Sequence, residues 1–490
     1  MVANIAVAVC IVASGAVWGY VRYRLDSIRT QAAAHLTQDQ KGAKDSADGL
    51  EPENILLIGN QTRAGITNQN EIQAFGNPNL LSGSLSDVIM IAHLDPARDS
   101  VSILSIPRDL FVPMPAGSPV GPYQKIDAAL NDGTNGPDNL IQAITDDLGI
   151  PINHYVELKF DGLQNVVNAL GGISEDFPER VYDLESGLNI QTTGCVHLNG
   201  SQALALVRAR HLQYDPPGNT SPVTGWPYDP ESDLSRIVRD HVFLRVLATT
   251  AISQGLTDPL KLNAFLGAII NQLIMDPGLK NEMVKVAAHY RHVSPNTVPE
   301  LTLPITTVGN YHYGGYDIGD VDFPVEPADD QVIAQWDGQA LPAPVAPTAV
   351  KVFNLAGTYN LAASTAASLN ADGVRATVGG DSPVPGTPTE TLVQYPPVSL
   401  AQAVAVTGHL AGAVMLQADT ALPAGTINLQ AGSLLSVTPA AAATTPAAAA
   451  PANPTAPPTT AASAPTFNGQ KPSASTDQIQ PWDPTACPAK

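Results

Sequence analysis

The chain has 490 residues, with 24 Lys and Arg against 45 Asp and Glu, a net charge of −21. So acidic a chain cannot assemble a broad basic face, which excludes nucleic acid as a partner. Its length allows two or three domains, each with a core of its own.

Residues 2–20 carry no charge and are mostly apolar. At 1.5 Å per residue such a run matches a bilayer core of about 30 Å. No small-residue cleavage site follows, so the run reads as a retained membrane anchor rather than a cleaved signal. Arg22, Arg24 and Arg29 follow it and nothing basic precedes it. Taken alone, that bias would put the rest of the chain in the cytoplasm. Residues 21–50 are polar and read as a stalk.

The main domain is expected over residues 51–337. Residues 54–58 form a short buried strand, and 88–94 and 101–106 two more, separated by the turn Asp95-Pro96-Ala97-Arg98-Asp99. Residues 137–149 read as a helix with Leu140, Ile141, Ile144 and Leu148 as its apolar stripe and Gly149 as its C-cap. Residues 154–160 read as a strand. Asp161 is placed to cap a helix that carries Leu163, Val166, Val167 and Leu170 and stops at Gly171-Gly172. Residues 203–209 are apolar and read as a strand ending in Arg208 and Arg210, and 233–252 and 258–274 as two helices. Strands interleave with helices, so the fold class is α/β, with a mixed central sheet covered by helices. A proline-rich linker at 338–347 leads to a smaller α/β unit over 348–417. Residues 418–490 read as a low-complexity, largely disordered tail, because the Ala, Pro and Thr that fill 437–467 cannot bury a core.

Within this acidic chain the arginines gather where strands end. Three segments carry the pattern: Ser86-Asp87, Ser105-Ile106-Pro107-Arg108-Asp109 and Val207-Arg208-Ala209-Arg210-His211. Ligands of open α/β sheets bind at strand ends, and guanidinium forks match phosphate oxygens. On a strand, Arg208 and Arg210 share a face. They repel unless an anion lies between them, so either a diphosphate or a pair of surface salt bridges is implied. Pro107 holds its predecessor extended, and Arg108 beside it serves either a phosphate or an ion pair with Asp109 or Asp87. Asp87 suits Mg²⁺, which is commonly held by one or two carboxylates plus phosphate oxygens; a turn or cap residue is its other reading. Lys125 is a further phosphate contact or a plain surface lysine. Arg236 and Arg239 share a helical face, as residues of a solvated face also do.

Other chemistries lack their signatures. The chain has no G-x-x-x-x-G-K-[ST] loop, no G-x-S-x-G elbow and no H-E-x-x-H. His93, His154, His197 and His211 lack metal-ligand spacing and read as structural. Cys10 lies in the anchor; Cys195 and Cys487 either form a disulfide in an oxidising compartment or remain free thiols.

Further segments complete a collinear set. Asn54-Ile55-Leu56-Leu57-Ile58-Gly59 with Arg63 precedes Ser86-Asp87-Val88-Ile89-Met90, and the Arg108 segment is followed by Lys125-Ile126-Asp127-Ala128-Ala129 and His154-Tyr155-Val156-Glu157. Ala169-Leu170-Gly171-Gly172-Ile173, His197-Leu198-Asn199-Gly200, the Arg208/Arg210 segment and Asp233-Leu234-Ser235-Arg236-Ile237 close it. Taken in this order, the set resembles the LytR-CpsA-Psr family of actinobacteria and other Gram-positive-type bacteria. Residues 348–417 resemble the small C-terminal domain often appended in actinobacterial members.

The resemblance implies a single-pass membrane protein with an α/β/α catalytic domain outside the cell. That orientation reverses the charge bias around residues 2–20, and a basic cytoplasmic segment before Met1 would reconcile the two. The implied activity is a phosphotransferase that moves a glycopolymer from a polyprenyl diphosphate carrier to peptidoglycan, with the polyprenyl tail in an apolar tunnel between sheet and helices. It further implies that Arg63, Arg108, Lys125, Arg208, Arg210 and Arg236 grip the diphosphate, and that Asp87, with Gln61, holds Mg²⁺. Arg108 then acts in catalysis with Asp87 or Asp109, one of which takes the proton of the attacking sugar hydroxyl.

Three positions depart from the family's pattern. Gln61 stands where Asp is usual, Leu85 where Arg is frequent, and Asp240 where Gln is usual. Gln61 and Leu85 favour an alternative, a non-catalytic polyprenyl-phosphate-binding scaffold assisting an active paralogue; a polyprenyl diphosphate phosphatase is a third reading. Many actinobacterial members carry a cysteine near Asp176 that pairs with the one at Cys195. Its absence here leaves Cys487 as the extracellular partner.

Overall fold

The computed structural model describes residues 23–24, 26–37, 50–60, 86–219, 222–230, 233–255, 267–270, 272–313, 315–325, 328–338, 349–382, 391–411, 414–419, 421–433, 435–437 and 480–487. The expected anchor at 2–20, and Gln61, Arg63 and Leu85, lie outside them. Among the described residues no helix is long and apolar enough to cross a membrane.

The central sheet runs in the order Arg29–Thr30, Leu273–Met275, His154–Lys159, Glu53–Asn60, Ser86–Asp95, Ser100–Ile106, Glu300–Thr302. Parallel and antiparallel pairings alternate through most of it, so the sheet is mixed. Period-two alternation sends Leu56, Ile58, Ile89, Ile91, Leu104 and Ile106 to one face. There they meet Leu140, Ile141 and Ile144 of helix Gly136–Leu148 and Trp336 of helix Ala328–Trp336. Ile55, Leu94 and Met275 gather on the other face with Leu279 of helix Pro277–His289. Both faces are covered, and the fold class is the α/β arrangement expected. Gly149 closes its helix at φ 67°, donating its N–H to Thr145 O at 3.1 Å, the left-handed cap that the glycine predicts.

A second apolar cluster joins helix Phe160–Ala169, helix Gly200–Val207 and the long helix Asp233–Gly255 through Leu163, Val167, Leu204, Leu206, Val242 and Phe243. Here the sequence reading needs correction. Residues 200–207 are a helix, not a strand. Asn199 Oδ1 accepts from Gln202 N at 3.0 Å and Gln202 Oε1 from Asn199 N at 3.1 Å, a complete capping box. The run behind it is buried on nearly every side, so it shows no polar stripe, and periodicity alone cannot separate helix from strand. Arg208 is therefore a helix C-cap, and strand alternation does not govern Arg208 and Arg210. Likewise Leu273–Met275 is a sheet strand, not the end of a helix. Helix Phe160–Ala169 starts from Lys159 without a side-chain cap, so Asp161 is not its N-cap.

The N-terminal stalk is partly folded onto the domain. Ile28 is buried, Arg29–Thr30 extends the sheet, and His35 Nδ1 lies 2.9 Å from Asp138 Oδ2. The smaller unit also extends past 417, because Ile427–Ala431 stands between Val350–Asn354 and Thr391–Tyr395 in its five-stranded sheet. It docks on the main domain through Leu392, seated among Phe111, Tyr123, Tyr311 and Phe323. Tyr395 Oη donates to Asp146 O at 3.3 Å, and Thr407 Oγ1 to Asp330 Oδ2 at 3.1 Å.

The end of the tail returns to the main domain. Thr485–Ala486 adds a strand to Ile173–Phe177, opposite Gly194–Leu198, and Cys487 is disulfide-bonded to Cys195 with Cα atoms 5.6 Å apart. Cys195 itself faces Asp176 across the sheet. Trp482 stacks on Tyr214 with ring centroids 4.0 Å apart.

Helices Phe160–Ala169 and Gly200–Val207 touch at Gly200, whose N–H donates to Asn168 Oδ1 at 2.8 Å. A Cβ there would lie 2.3 Å from Gln164 O. Gly200→Ala is expected to destabilise the domain by roughly 1–3 kcal/mol, seen as a lower urea midpoint. An unchanged midpoint would mean that the two helices separate at no cost.

Candidate functional site

The site forms at one edge of the sheet. Ile89 pairs with Ile106 in antiparallel register, so Asp87 and Arg108, each two residues beyond that pair, reach the same edge. Asn60, which Gln61 follows, pairs with Ser86 there. Beyond Ile106 the chain turns tightly, with Leu110 N donating to Pro107 O at 3.2 Å. Asp127 N donates to Arg108 O at 3.2 Å and Ile126 N to Leu110 O at 2.8 Å. From the other side, Asp322 N of the hairpin Ile305–Tyr313/Tyr316–Pro324 donates to Asp109 O at 2.9 Å. The backbone of residues 108–110 is thus held from both flanks.

On this frame the Asp109 carboxylate collects three cations. Lys125 Nζ lies 2.8 Å from Oδ1, Arg108 Nε 3.4 Å from Oδ2 and Arg210 Nη2 4.0 Å from Oδ2. Arg108, Lys125 and Arg210, separate in the sequence, are therefore one cluster. Guanidinium forks and an ammonium gathered at one place are groups that match phosphate oxygens. Arg210 is the most exposed of the four side chains, at 36%, and leans toward solvent.

Arg236 and Arg239 do not line a solvated face: both are buried, at 1% exposure. Arg239 Nη1 donates to Asp229 Oδ2 and Asp483 Oδ1, each at 2.9 Å, and Nη2 to Ala209 O at 2.8 Å. Ala209 is the residue between Arg208 and Arg210. The two carboxylates hold the Arg239 guanidinium above its ordinary range against the opposing effect of burial. Ser105, in the Arg108 segment, bonds His241 Nε2 at 2.6 Å, tying the strand end to the long helix. Burial, then Arg245, pushes His241 down to about 4.

The four histidines read as structural all have partners in the fold. His93 Nδ1 lies 2.8 Å from Asn54 Oδ1, His154 Nδ1 3.0 Å from Asp276 Oδ1, His197 Nε2 2.9 Å from Gly171 O, and His211 Nδ1 3.1 Å from Glu185 Oε2.

Gln61 and Arg63 lie outside the described residues, and Asp87 is placed by its backbone alone. Among the described residues no group of three or more His, Cys, Asp or Glu is arranged to hold a metal ion. Sequence reasoning missed His241, Asp483 and Glu175. The fully buried Glu175 sits on Ile173–Phe177 and has its carboxyl pushed up to about 8, by burial first and then by Asp240. The only sequence signals were a histidine just after Arg239-Asp240 and an acidic residue alternating with Ile173 and Phe177.

The sequence pattern that defines the LytR_cpsA_psr family matches residues 20–322, more than half of the chain. The chain belongs to that family. Two relatives from Corynebacterium glutamicum are each 29% identical to it. They are a probable cell wall biosynthesis protein LcpB, over 54% of this chain and 58% of its own, and the cell wall biosynthesis protein LcpA, over 56% and 54%. The chain thus spans little more than half the length of these curated relatives. TagV of Bacillus subtilis, a polyisoprenyl-teichoic acid–peptidoglycan teichoic acid transferase, is 39% identical over 26% of this chain and 32% of its own. Among solved structures, a LytR-Csp2A-Psr enzyme from Actinomyces oris aligns with 63% of this LytR-CpsA-Psr chain and 96% of its own, at 20% identity and a TM-score of 0.44.

Glu175 titrates near 4.5 when unfolded and about 8 when folded. Between those values the folded chain keeps a proton that the unfolded chain has lost, so this group's contribution to stability falls as pH rises. His241 acts with the opposite sign: its contribution is complete above 6.5 and is lost as pH falls toward about 4. Glu175→Gln removes the first effect alone. Its stability relative to wild type is expected to grow by about 1.4 kcal/mol per pH unit at most between pH 5 and 8, read from urea unfolding at several pH values. Parallel curves for the two proteins would contradict the assignment.

Proposed function

We propose that this protein is a membrane-anchored phosphotransferase, its catalytic domain on the outer side of the cell membrane, that moves a glycopolymer from a polyprenyl diphosphate carrier to peptidoglycan. The observation that carries the reading is the cluster of Arg108, Lys125 and Arg210 on Asp109, at the sheet edge that Asp87 also reaches. Membership of the LytR-CpsA-Psr family, and the roles of its relatives in cell wall biosynthesis and teichoic acid transfer, support it.

In this reading the cations bind the diphosphate, with Arg63, Arg208 and Arg236 as the remaining contacts. The acceptor hydroxyl attacks the phosphorus that bears the glycopolymer. A P–O bond to peptidoglycan forms, the P–O bond to polyprenyl phosphate breaks, and the hydroxyl proton passes to Asp87. Such transfer depends on positioning and charge stabilisation more than on covalent chemistry, which is what clustered cations supply. Asp109 already faces three cations and acts by holding them in place. The polyprenyl chain would lie along the apolar layer that includes Leu163, Val167 and Phe243.

Asp87 and Gln61 offer a carboxylate and an amide oxygen, hard donors of the kind that Mg²⁺ accepts. They would hold Mg²⁺ beside the phosphates, where the ion would add charge neutralisation. Gln61 contributes no charge, so Gln61→Asp is expected to lower the Mg²⁺ concentration giving half-maximal activity. The same Mg²⁺ dependence in both proteins would place residue 61 away from the metal.

The main test uses the full chain in detergent, a polyprenyl-diphosphate-linked oligosaccharide, a peptidoglycan acceptor and Mg²⁺, with products read by mass spectrometry. Arg108→Ala should lower transfer by about 100-fold or more while leaving the unfolding midpoint near that of wild type. Full transfer by that variant would remove Arg108 from the site. Polyprenyl phosphate released without acceptor would point to a diphosphatase, and lipid bound without turnover to a scaffold.

A further inference from the structure

The C-terminal segment is fastened to the main domain more firmly than a passive tail requires. Within residues 480–487 there are a ring stack, a buried ion pair, a paired strand and a disulfide. Three of these would anchor any sequence; the ion pair goes to one particular place. Asp483 is 1% exposed, and a short turn shapes it, with Asp483 N donating to Gln480 O at 3.0 Å and Gln480 N to Asp483 Oδ2 at 3.2 Å. Its other oxygen, Oδ1, accepts from Arg239 Nη1.

Asp483 is the second carboxylate on Arg239 Nη1, beside Asp229. What a second carboxylate adds is geometry. With Nη1 held between two acceptors, the planar guanidinium cannot rotate, and Nη2 stays directed at Ala209 O. The loop around Ala209 is pinned at two more points, by His211 N on Asp183 Oδ2 at 2.9 Å and by Asp229 N on Leu212 O at 2.7 Å. Between Arg208 and Arg210, Ala209 N donates to Leu206 O at 3.1 Å, and the bond from Arg239 is the side-chain hold on the Ala209 carbonyl.

We propose that Asp483 is a positioning residue for the anion site: acting through Arg239, it fixes the Ala209 carbonyl and thereby the two arginines that flank it. This rests on the reading in which Arg208 and Arg210 hold the donor diphosphate. The C-terminal segment then belongs to the site, although it touches no substrate.

The test measures donor KM and kcat for the full chain and four variants, together with unfolding midpoints. Asp483→Ala should raise donor KM about tenfold, as loss of a buried charged hydrogen bond can, with kcat changed less than about twofold. Asp483→Asn, which keeps an acceptor oxygen, should restore most of that loss, leaving a KM about threefold above wild type. Trp482→Ala loosens the same segment without touching Arg239, so it should lower the midpoint and leave KM unchanged. Arg210→Ala should raise KM at least as much as Asp483→Ala. A wild-type KM for Asp483→Ala beside a raised one for Arg210→Ala would overturn the proposal and leave the diphosphate reading standing. A wild-type KM for Arg210→Ala would remove the diphosphate reading itself. An equal KM rise in Trp482→Ala and Asp483→Ala would reduce the effect to tail docking and overturn the proposal. Should Asp483→Ala fail to fold, a wild-type KM for Asp483→Asn would do the same.

Discussion

Cations do not stand together in a fold unless something negative holds them, and here carboxylates meet that constraint. Asp109 gathers Arg108, Lys125 and Arg210. Asp229 and Asp483 hold Arg239 in a fully buried position. The two arrangements differ in kind. Around Asp109 the cations are partly exposed, within reach of a ligand. Around Arg239 the guanidinium and both carboxylates are buried, and the arrangement fixes geometry. A buried guanidinium that lost a partner would cost several kcal/mol, which keeps the second arrangement rigid.

The site depends on segments that are remote in sequence because each supplies something the others lack. The strand Ser100–Ile106 gives Arg108 a rigid base at the sheet edge. The helix Gly200–Val207 delivers Arg208 and Arg210 from its C-terminal end. The hairpin around Asp322 holds the Asp109 backbone, and the smaller unit packs Leu392 onto aromatic residues of the same hairpin. The smaller unit therefore packs, through Phe111, Tyr311 and Phe323, on the elements that hold the site.

Much of the scaffold was legible because short-range rules decide it. The buried strands announce themselves as apolar runs bounded by turn residues, and Gly149 ends its helix where a left-handed residue is needed. The gathering of Arg108, Lys125 and Arg210 was legible as a list of cations, but not as a cluster around Asp109, because that geometry is tertiary. Residues 200–207 were misread for a physical reason: a helix buried nearly all round loses the polar stripe that would mark it. Ile427–Ala431 sits in a Gly- and Ala-rich stretch that looks like tail, and only its two neighbouring strands make it part of a sheet. Asp483 had no signal at all, since its partner Arg239 is 244 positions away.

The titrating groups behind the site follow the same logic as the ion pairs. Glu175, pushed up to about 8, and His241, pushed down to about 4, are both largely uncharged at neutral pH. Each is buried beside a group of its own sign, Asp240 or Arg245, and neutrality is how each avoids that repulsion. Asp109, Asp229 and Asp483 lie against cations, while Glu175, with no cation partner among the described residues, stays largely protonated at neutral pH. A charged Glu175 would add to the field of Asp240 on the helix that carries Arg236 and Arg239. Protonated, it adds no negative charge behind the guanidinium groups that those carboxylates hold.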